Sequence, residues 1–515
     1  MSRDLAGVRT LDEASRAVES YSPAEEAFNR KRRTWGLFLG PLIFGLMWLA
    51  PLPVPGPAHR LAAILAMVVV LWISEALPMA VTAMLGPILA VVFRVAPARG
   101  ALAPFADPII FLFIGSFILA EAMFVHGLDR RIAFTALASR WVGTSGTRIL
   151  VVYGLVGTCI SMWMSNTATT AMMFPIGLSI VAQLRRGSAG QEEALRKFAT
   201  VMMLITSFGA SVGGMATPVG TPPNLIGIGL IERITGTHIG FFRWMAIGVP
   251  LVLILFTILA TFFVLTSTRG VHVGEAGARI VREELDRLGP MNKAQRNVCV
   301  AFGATVLLWT FPGVLAIAGL SNTSLAKAYL TSVPEGVAAM LGAMLLFVLP
   351  VHWAARKFTI TWEEAARIDW GIVLLYGGGL AMGDLAFSTG LATAMGHGLT
   401  SWLPGAGPML LTTVFTGAAI LLSETTSNTA SANMVVPVAI AVATASKVDP
   451  MLPALGATLG ASMGFMMPIS TAPNAIVYSS GHVPISAMIR YGIVLDLAGF
   501  VVIVALLGLL GPLLF

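Results

Sequence analysis

The sequence predicts an all-α polytopic membrane protein with about 11 transmembrane spans. Hydrophobic residues make up 56% of its 515 residues and charged residues only 11%, which is typical of a chain folded in lipid. Two apolar segments are interrupted by the same Ser-Asn-Thr triplet, at residues 165–167 and 427–429. Unpaired hydroxyl and amide groups would cost several kcal/mol in hydrocarbon, so we expect both triplets to bind something polar.

The charge pattern fits a membrane protein rather than a nucleic-acid-binding one. The formal net charge of +7 comes from short clusters of Lys and Arg between apolar spans, as in cytoplasmic loops, so we expect no nucleic-acid partner. Cys159 and Cys299 lie far apart in apolar runs and predict neither a disulfide nor a metal site. Residues 1–33 are polar and unlike a signal peptide, and we expect them to form a cytoplasmic tail.

The region from residue 34 to residue 148 predicts four spans and an interfacial helix. The basic residues 30–33 directly precede the first span, which places the amino terminus in the cytoplasm. An amphipathic segment with Arg130, Arg131 and Arg140 is expected along the cytoplasmic surface of the membrane. The predicted elements are span 1 (about 35–50), span 2 (61–78), span 3 (81–95), span 4 (108–125) and the interfacial helix (128–148).

Two segments are too long for one span and too short for two spans with a turn. They cover residues 149–184 and about 409–444, and each has a triplet near its centre. Each is predicted to be a re-entrant hairpin that dips into the membrane and returns to the same side. Arg148 before the first segment and Arg185 after it indicate that both of its ends are cytoplasmic.

Each predicted hairpin is followed by a span that cannot be one continuous helix. Span 5 begins near Phe198 and is interrupted at residues 213–224, where three prolines and three glycines end the helix. Span 10 is interrupted at residues 467–474. The basic segment 267–297, with Arg269 and Arg279, predicts a cytoplasmic loop. The remaining predicted elements are span 6 (about 244–265), span 7 (298–320), span 8 (336–352), span 9 (371–387) and span 11 (489–515).

The two halves of the chain therefore repeat the same order of elements. Spans 5 to 9 separate the two hairpins, and this odd number turns the second copy upside down relative to the first. Inverted repeats with discontinuous helices are typical of secondary transporters. Buried polar residues that only pack helices together are the alternative, but matched pairs of interruptions disfavour it.

The interrupted segments offer neutral oxygen ligands and no basic side chain. Hydroxyls, amides and free backbone carbonyls suit a dehydrated alkali cation, and the amino termini of half-helices suit an anion. An anionic substrate would need co-bound cations to offset its charge, so we expect cation-coupled uptake of a small anion. The segments without Lys or Arg are 149–184, 198–232, 391–446 and 448–489.

Several acids lie within the predicted spans. Glu424 is the one carboxylate beside a triplet, so it either contributes to cation binding, carries a proton, or braces the hairpin. We expect Glu75, Glu121, Asp384 and Asp496 to be structural hydrogen-bond partners. None of the seven histidines lies in the hairpins at 149–184 and 409–444 or in the breaks at 213–224 and 467–474, which disfavours a transition-metal site or a histidine proton relay there.

The same segments disfavour two other function classes. A channel would have one filter loop per subunit rather than inverted pairs of loops. A membrane enzyme would need a nucleophile with a base, paired catalytic acids or a histidine cluster at this depth, and the sequence places none there, so we expect no enzyme.

At these residues the sequence resembles the divalent anion:sodium symporter (DASS) family, which carries dicarboxylates, citrate or sulfate. The likeness extends from span 1 to the carboxyl terminus. It includes both triplets, Trp-Ile-Ser-Glu-Ala-Leu-Pro at residues 72–78, Thr-Pro-Pro-Asn at 221–224 and Thr-Ala-Pro-Asn at 471–474. The resemblance implies an elevator-type homodimer. Its scaffold would comprise residues 34–148 and 298–407, and its transport domain residues 149–266 and 408–515.

The resemblance also implies the ligands of both sodium ions and of the substrate. One sodium site would comprise Ser161, Ser165, Asn166 and Gly220, and the other Ser423, Thr426, Asn428 and Ser470. The substrate carboxylates would contact Asn166, Thr167, Thr221, Pro222, Asn428, Thr429, Thr471 and Ala472. Two departures leave the second sodium site and the substrate preference open. Residues 470–474 read Ser-Thr-Ala-Pro-Asn where many members have Ala-Thr-Pro-Pro-Asn, and Ser423 stands where Thr is common.

The sequence thus predicts a sodium-coupled symporter of a C4-dicarboxylate such as succinate, malate or fumarate, with sodium as the coupling ion and no other cofactor. Sodium-independent exchange of di- or tricarboxylates and sulfate symport are the alternatives. The expected location is the plasma membrane, which is the inner membrane if the source is bacterial. The amino terminus would be cytoplasmic and the carboxyl terminus outside.

Overall fold

The computed structural model describes residues 23–139, 141–143, 145–187, 192–267, 274–402 and 404–514. Residues 1–22 of the predicted cytoplasmic tail lie outside the described residues, and so do Arg140 of the predicted interfacial helix and Arg269 of the predicted basic loop. The side chains of Arg185 and Arg279 lie outside them as well.

The described chain is almost entirely helical. Proline at the first helical turn and Asp, Asn, Ser or Thr caps begin many of the helices. The helices are α1 (Pro23–Leu49), α2 (Gly56–Ser74), α3 (Met79–Val92), α4 (Ala98–Leu102), α5 (Pro108–Val125), α6 (Leu128–Leu137), α7 (Gly146–Ser161), α8 (Asn166–Gly187), α9 (Glu192–Gly214), α10 (Pro222–Thr235), α11 (Phe241–Ser267), α12 (Gly274–Arg287), α13 (Lys293–Ile317), α14 (Ser324–Ser332), α15 (Glu335–Val348), α16 (Trp362–Ala365), α17 (Trp370–Ser388), α18 (Leu391–Thr400), α19 (Pro408–Thr425), α20 (Asn428–Ala445), α21 (Met451–Gly460), α22 (Ala472–Tyr478) and α23 (Ile485–Leu514). A 3₁₀ turn covers Ala103–Ala106, and the strands β1 (Pro350–His352) and β2 (Lys357–Phe358) pair antiparallel.

Nine helical segments of the described chain are long and apolar enough to cross a membrane, or ten if α14 and α15, bent by 66°, form one span. The protein is thus an all-α polytopic membrane protein, as the sequence predicts. Helices α1 and α3, predicted as spans 1 and 3, are not among the nine. Helix α3 has only 14 residues, and α1 carries the basic residues 30–33 in its first half.

The interfacial helix predicted over residues 128–148 is shorter in the structure. Helix α6 ends at Leu137, and α7 begins at Gly146 after a turn. Gly143 in this turn has a φ of 55°, which a right-handed helix does not contain. The chain therefore changes direction before it enters the first hairpin.

The predicted span 8 also ends earlier than the apolar run. Helix α15 stops at Val348, and the next residues form β1. Pro350 has no backbone N–H to continue a helix, which accounts for the boundary.

The helices around the two triplets pack in an exchanged order. The first hairpin, α7 and α8, packs on α9, but α8 also packs on α22 from the second half. The second hairpin, α19 and α20, packs on α21, and α20 also packs on α10 from the first half. Each hairpin thus contacts the first half-helix of its own broken span and the second half-helix of the other.

Helix α9 is the most enclosed of the nine candidate spans. Buried residues make up 89% of its apolar window, compared with 33% for α13 and α23. The predicted site therefore lies beside a helix in the interior of the protein. The 18-residue arms of the second hairpin satisfy the same length criterion as crossing helices, so the re-entrant path stays a prediction.

Candidate functional site

The tips of the two hairpins have the same hydrogen bonds. Ser161 Oγ donates to Asn166 Oδ1 at 2.8 Å, and Ser423 Oγ donates to Asn428 Oδ1 at 2.7 Å. Both bonds join the end of the first arm to the first residue of the second arm. The repeat visible in the sequence is therefore also a repeat of side-chain contacts.

The serine of each triplet caps the second arm of its hairpin. Ser165 Oγ accepts from the backbone N–H of Ala168, and Ser427 Oγ accepts from that of Ala430, both at 3.2 Å. A helix leaves its first N–H groups without intrahelical acceptors, and each cap satisfies one of them. The triplet sequence thus begins a helix at the middle of an apolar segment.

One asparagine in each broken span donates hydrogen bonds to backbone carbonyls at the break. Asn224 Nδ2 donates to the carbonyls of Gly214 at 2.9 Å and Thr217 at 2.8 Å. Asn474 Nδ2 donates to those of Gly464 and Met467 on the other half, both at 3.0 Å. These bonds supply partners for backbone groups that the break frees, as buried polar groups require.

The first hairpin tip lies directly against the first broken span. A Cβ added at Gly214 would come within 2.3 Å of Asn166 Oδ1. A Cβ added at Gly220 would fall 2.9 Å from the Met162 carbonyl, and Thr217 Oγ1 donates to the same carbonyl. The structure therefore brings Ser161, Asn166 and Gly220 of the predicted first sodium site into one cluster.

The predicted second sodium site is assembled around the second hairpin. Ser423 Oγ donates to the Ala461 carbonyl at 2.8 Å as well as to Asn428. Ser470 Oγ donates to the Glu424 carbonyl at 3.2 Å and to Glu424 Oε2 at 2.8 Å. Thr426 is buried, and its hydroxyl donates to the Leu422 carbonyl of its own helix at 2.9 Å.

The residues predicted to contact substrate lie at the starts of α8, α10, α20 and α22 and are mostly half-buried. Thr221 alone of the eight is buried, and Thr471 Oγ1 caps α22 by accepting from the Asn474 N–H at 3.3 Å. The half-buried residues are Asn166, Thr167, Pro222, Asn428, Thr429, Thr471 and Ala472. Half-buried side chains are accessible to a small polar ligand that enters from solvent.

Ser207 on α9 links the first half of the chain to the second break, although the sequence does not single it out. Ser207 Oγ on α9 donates to Asn474 Oδ1 at 2.5 Å, and both residues are fully buried. A lone serine in an apolar helix carries no local signal of this role, because packing residues have the same pattern.

Glu424 braces the second hairpin against the second broken span. Its Oε1 accepts from the backbone N–H groups of Phe465 at 2.5 Å and Met466 at 2.9 Å. Together with the bond from Ser470, this gives the carboxylate three donors. The bracing role is one of the three that the sequence left open.

The other acids have different surroundings. Glu75 Oε2 accepts from Arg32 at 2.7 Å, and Asp384 Oδ2 accepts from Arg233 at 2.8 Å, so both are ion-paired as structural partners. Within the described residues, the carboxylate oxygens of the buried Glu121 and Asp496 have no hydrogen-bond donor. No group of three or more His, Cys, Asp or Glu that could hold a metal ion occurs in the described chain.

Comparison with known proteins gives matches over most of the chain. Residues 31–515 match the family model described as the sodium:sulfate symporter transmembrane region. A protein of Staphylococcus saprophyticus named sodium-dependent dicarboxylate transporter SdcS is 33% identical over 486 residues, which cover 93% of this chain and 91% of the relative. The protein of the same name from Staphylococcus aureus strain bovine RF122 is 32% identical over 478 residues, covering 91% and 89%.

Two solved transporter structures have a similar fold at low sequence identity. The YdaH transporter of Alcanivorax borkumensis superposes with a TM-score of 0.54 at 12% identity, over 82% of this chain and 89% of that one. The Neisseria gonorrhoeae protein MtrF gives a TM-score of 0.50 at 11% identity, over 90% and 96%. Identities this low support the fold alone.

Proposed function

Since the chain belongs to the sodium:sulfate symporter family, we propose that it is a secondary transporter that carries a C4-dicarboxylate across the membrane together with sodium. Relatives about one-third identical over nearly the whole chain are named sodium-dependent dicarboxylate transporters, which supports this substrate and this ion. The multispan helical fold makes it an integral membrane protein.

The observation that carries the proposal is the pair of identical hairpin tips without a basic side chain. Ser161–Asn166 and Ser423–Asn428 present hydroxyl and amide oxygens beside unwound backbone. Oxygen ligands at helix breaks are typical sodium sites in transporters. We therefore assign the first sodium site to Ser161, Ser165, Asn166 and Gly220, and the second to Ser423, Thr426, Asn428 and Ser470.

The substrate would bind at the amino ends of the helices that start at the tips. By helix geometry, the N–H groups of Asn166 and Thr167 in α8 have no intrahelical acceptor, and the same holds for Asn428 and Thr429 in α20. Such N–H groups bind carboxylates well. Because the caps at Ser165 and Ser427 accept only from the N–H groups of Ala168 and Ala430, these donors remain available to a ligand.

Coupling follows from the shared asparagines. Asn166 and Asn428 belong to both the sodium and the substrate positions, so each cation stabilises the geometry that the dianion meets. The sodium charge also offsets the carboxylates in a cluster to which residues 149–184 and 198–232 contribute no Lys or Arg. Binding of each ligand therefore increases the affinity for the other.

We propose an elevator mechanism in a homodimer. Residues 149–266 and 408–515 would move as the transport domain, and residues 34–148 and 298–407 would form the scaffold. The exchanged packing of the hairpins on α10 and α22 supports one moving unit, since neither half of the site can move without the other. The amino terminus would be cytoplasmic and the carboxyl terminus outside.

Succinate uptake into proteoliposomes tests the function. Purified protein is compared in an inward sodium gradient and in choline, with and without internal succinate. Uptake that requires sodium and increases with an inside-negative potential is the expected result. Sodium-indifferent uptake that requires internal dicarboxylate would mean exchange, and sulfate competition for succinate at low concentration would favour a sulfate carrier.

A further inference from the structure

A carboxylate with no donor faces the second hairpin. Asp496 on α23 is 5% exposed, and Gly492, one turn earlier on α23, packs against Phe465 and Met466, whose N–H groups donate to Glu424. Neither oxygen of Asp496 receives a hydrogen bond from any described residue. Two neighbouring buried carboxyl groups require a shared proton or a positive charge near them.

The second hairpin and the second broken span supply no such charge, and Arg243, the one basic residue of α11, donates to the His238 carbonyl. Helices α19 and α20 contain no Lys or Arg, and neither do α21 and α22. Arg490, the one basic residue of α23, lies against the Tyr491 ring at 5.3 Å and lines a separate surface cavity with Arg196. A proton or a mobile cation is therefore the available partner of the two carboxylates.

The first half of the chain lacks both acids at the matching positions. The order of the triplets aligns Met162 with Glu424. A Cβ added at Gly248 would contact the carbonyls of Met215 and Ala216, and one added at Gly492 would contact Phe465 and Met466. Met215 and Ala216 precede Asn224 by the same numbers of residues as Phe465 and Met466 precede Asn474. The two contacted pairs therefore occupy equivalent positions in the two repeats.

The glycine alignment identifies the counterpart of Asp496. Val252 lies one turn after Gly248 on α11, as Asp496 lies one turn after Gly492 on α23, so both face the break of their own half. Val252 is buried and apolar. The two acids are thus an addition to one repeat and are not required to build a hairpin and broken span of this kind.

We infer that Glu424 and Asp496 bind an additional monovalent cation behind the second hairpin, next to the repeat-related sodium site to which Ser470 is assigned. Glu424 uses three of its roughly four acceptor positions on protein donors, while all those of Asp496 are open. Carboxylate and hydroxyl oxygens suit a hard cation such as sodium. The inference rests on the proposed sodium-coupled function.

Sodium counting tests the additional site. The wild type and Asp496→Asn are reconstituted, and the number of sodium ions per succinate is determined from the membrane potential at which net flux is zero. Asparagine is isosteric and neutral, so we expect one sodium fewer per succinate. Equilibrium binding of radioactive sodium to the two purified proteins should differ by one ion per protomer.

Thermal stability provides a readout that does not depend on transport. Without sodium, Asp496→Asn should be as stable as the wild type or more stable, since its amide can donate to Glu424. Added sodium should stabilise the variant less, with a half-maximal concentration roughly 10-fold higher. Asp496→Val, which carries the residue of the first repeat, serves as a second variant, and Asp384→Asn on α17 is the matched control that should keep wild-type sodium coupling.

The outcomes separate the two proposals. A sodium-dependent wild type with unchanged coupling and sodium binding in Asp496→Asn would overturn the additional site and leave the symporter intact. A wild type that neither requires nor binds sodium would overturn the proposed function itself.

Discussion

Ser207 on α9 donates a hydrogen bond of 2.5 Å to Asn474 at the break of the second half. Asn474 in turn donates to the carbonyls of Gly464 and Met467. One serine thus connects the most enclosed helix of the first half to the residue that holds the second broken span.

Replacing Ser207 should weaken the contact between the two halves of the chain. In Ser207→Ala the buried Asn474 Oδ1 loses its donor, which should lower the free energy of unfolding by about 1–2 kcal/mol and reduce succinate uptake. Ser211→Ala is the matched control, because Ser211 lies one turn later on α9 and its buried hydroxyl has no partner in the described chain. Equal effects in thermal unfolding of the two variants would contradict the role of Ser207.

The hairpin-tip asparagines should be essential for transport but not for folding. Asn166→Ala and Asn428→Ala each remove an amide assigned to both sodium and substrate, so uptake should fall to background while size-exclusion profiles stay those of the wild type. Asn297→Ala, which loses bonds to Thr359 and Pro350 outside the site, is the control and should retain uptake. Normal uptake by either tip variant would refute the assigned site.

A methyl group at the first hairpin contact should block the site sterically. In Gly214→Ala the new Cβ would lie 2.3 Å from Asn166 Oδ1, which should cost about 1–3 kcal/mol of stability and reduce uptake about 10-fold or more. Gly45→Ala on α1 is the control, since its Cβ would have no atom within 4 Å. Sodium dependence of the residual uptake is the second measurement, and an unaltered half-saturating concentration would argue against contact with the sodium site.

The protein should become less stable at alkaline pH, because His238 in the loop before α11 loses its proton there. Hydrogen bonds with Glu232 at 2.8 Å and Glu335 at 3.4 Å raise the pKa of His238 to about 10, while the Arg243 guanidinium contacts its backbone carbonyl. A raised pKa means that the protonated ring stabilises the fold fully below about pH 6.5 and loses this effect as pH rises towards about 10. The ring is 58% exposed, so the effect should be small.

The measurement is the difference in melting temperature between the wild type and His238→Gln across that pH window. The wild-type advantage should shrink steadily from neutral to alkaline pH. A difference that is constant with pH would show that the ring is not charged in the folded protein.

Local signals account for what the sequence predicts well. Proline, glycine and a polar triplet in an apolar run act within a few residues, so the hairpin predicted at 149–184 agrees with α7 and α8 to within a few residues. The packing of α23 against Phe465 and Met466 and the bond from Ser207 to Asn474 join distant segments. Sequence periodicity does not report such packing, so Asp496 is predicted there only as a structural partner.

The exchanged packing of the hairpins also sets an order of events during synthesis. Helix α8 cannot complete its contacts until α22 has left the ribosome, about 300 residues later. At about 5–20 residues per second, this wait is on the order of 15–60 s. During that time the face of α8 that packs on α22 needs another partner, such as lipid or the insertion machinery, and premature termination before residue 472 would leave this face uncovered.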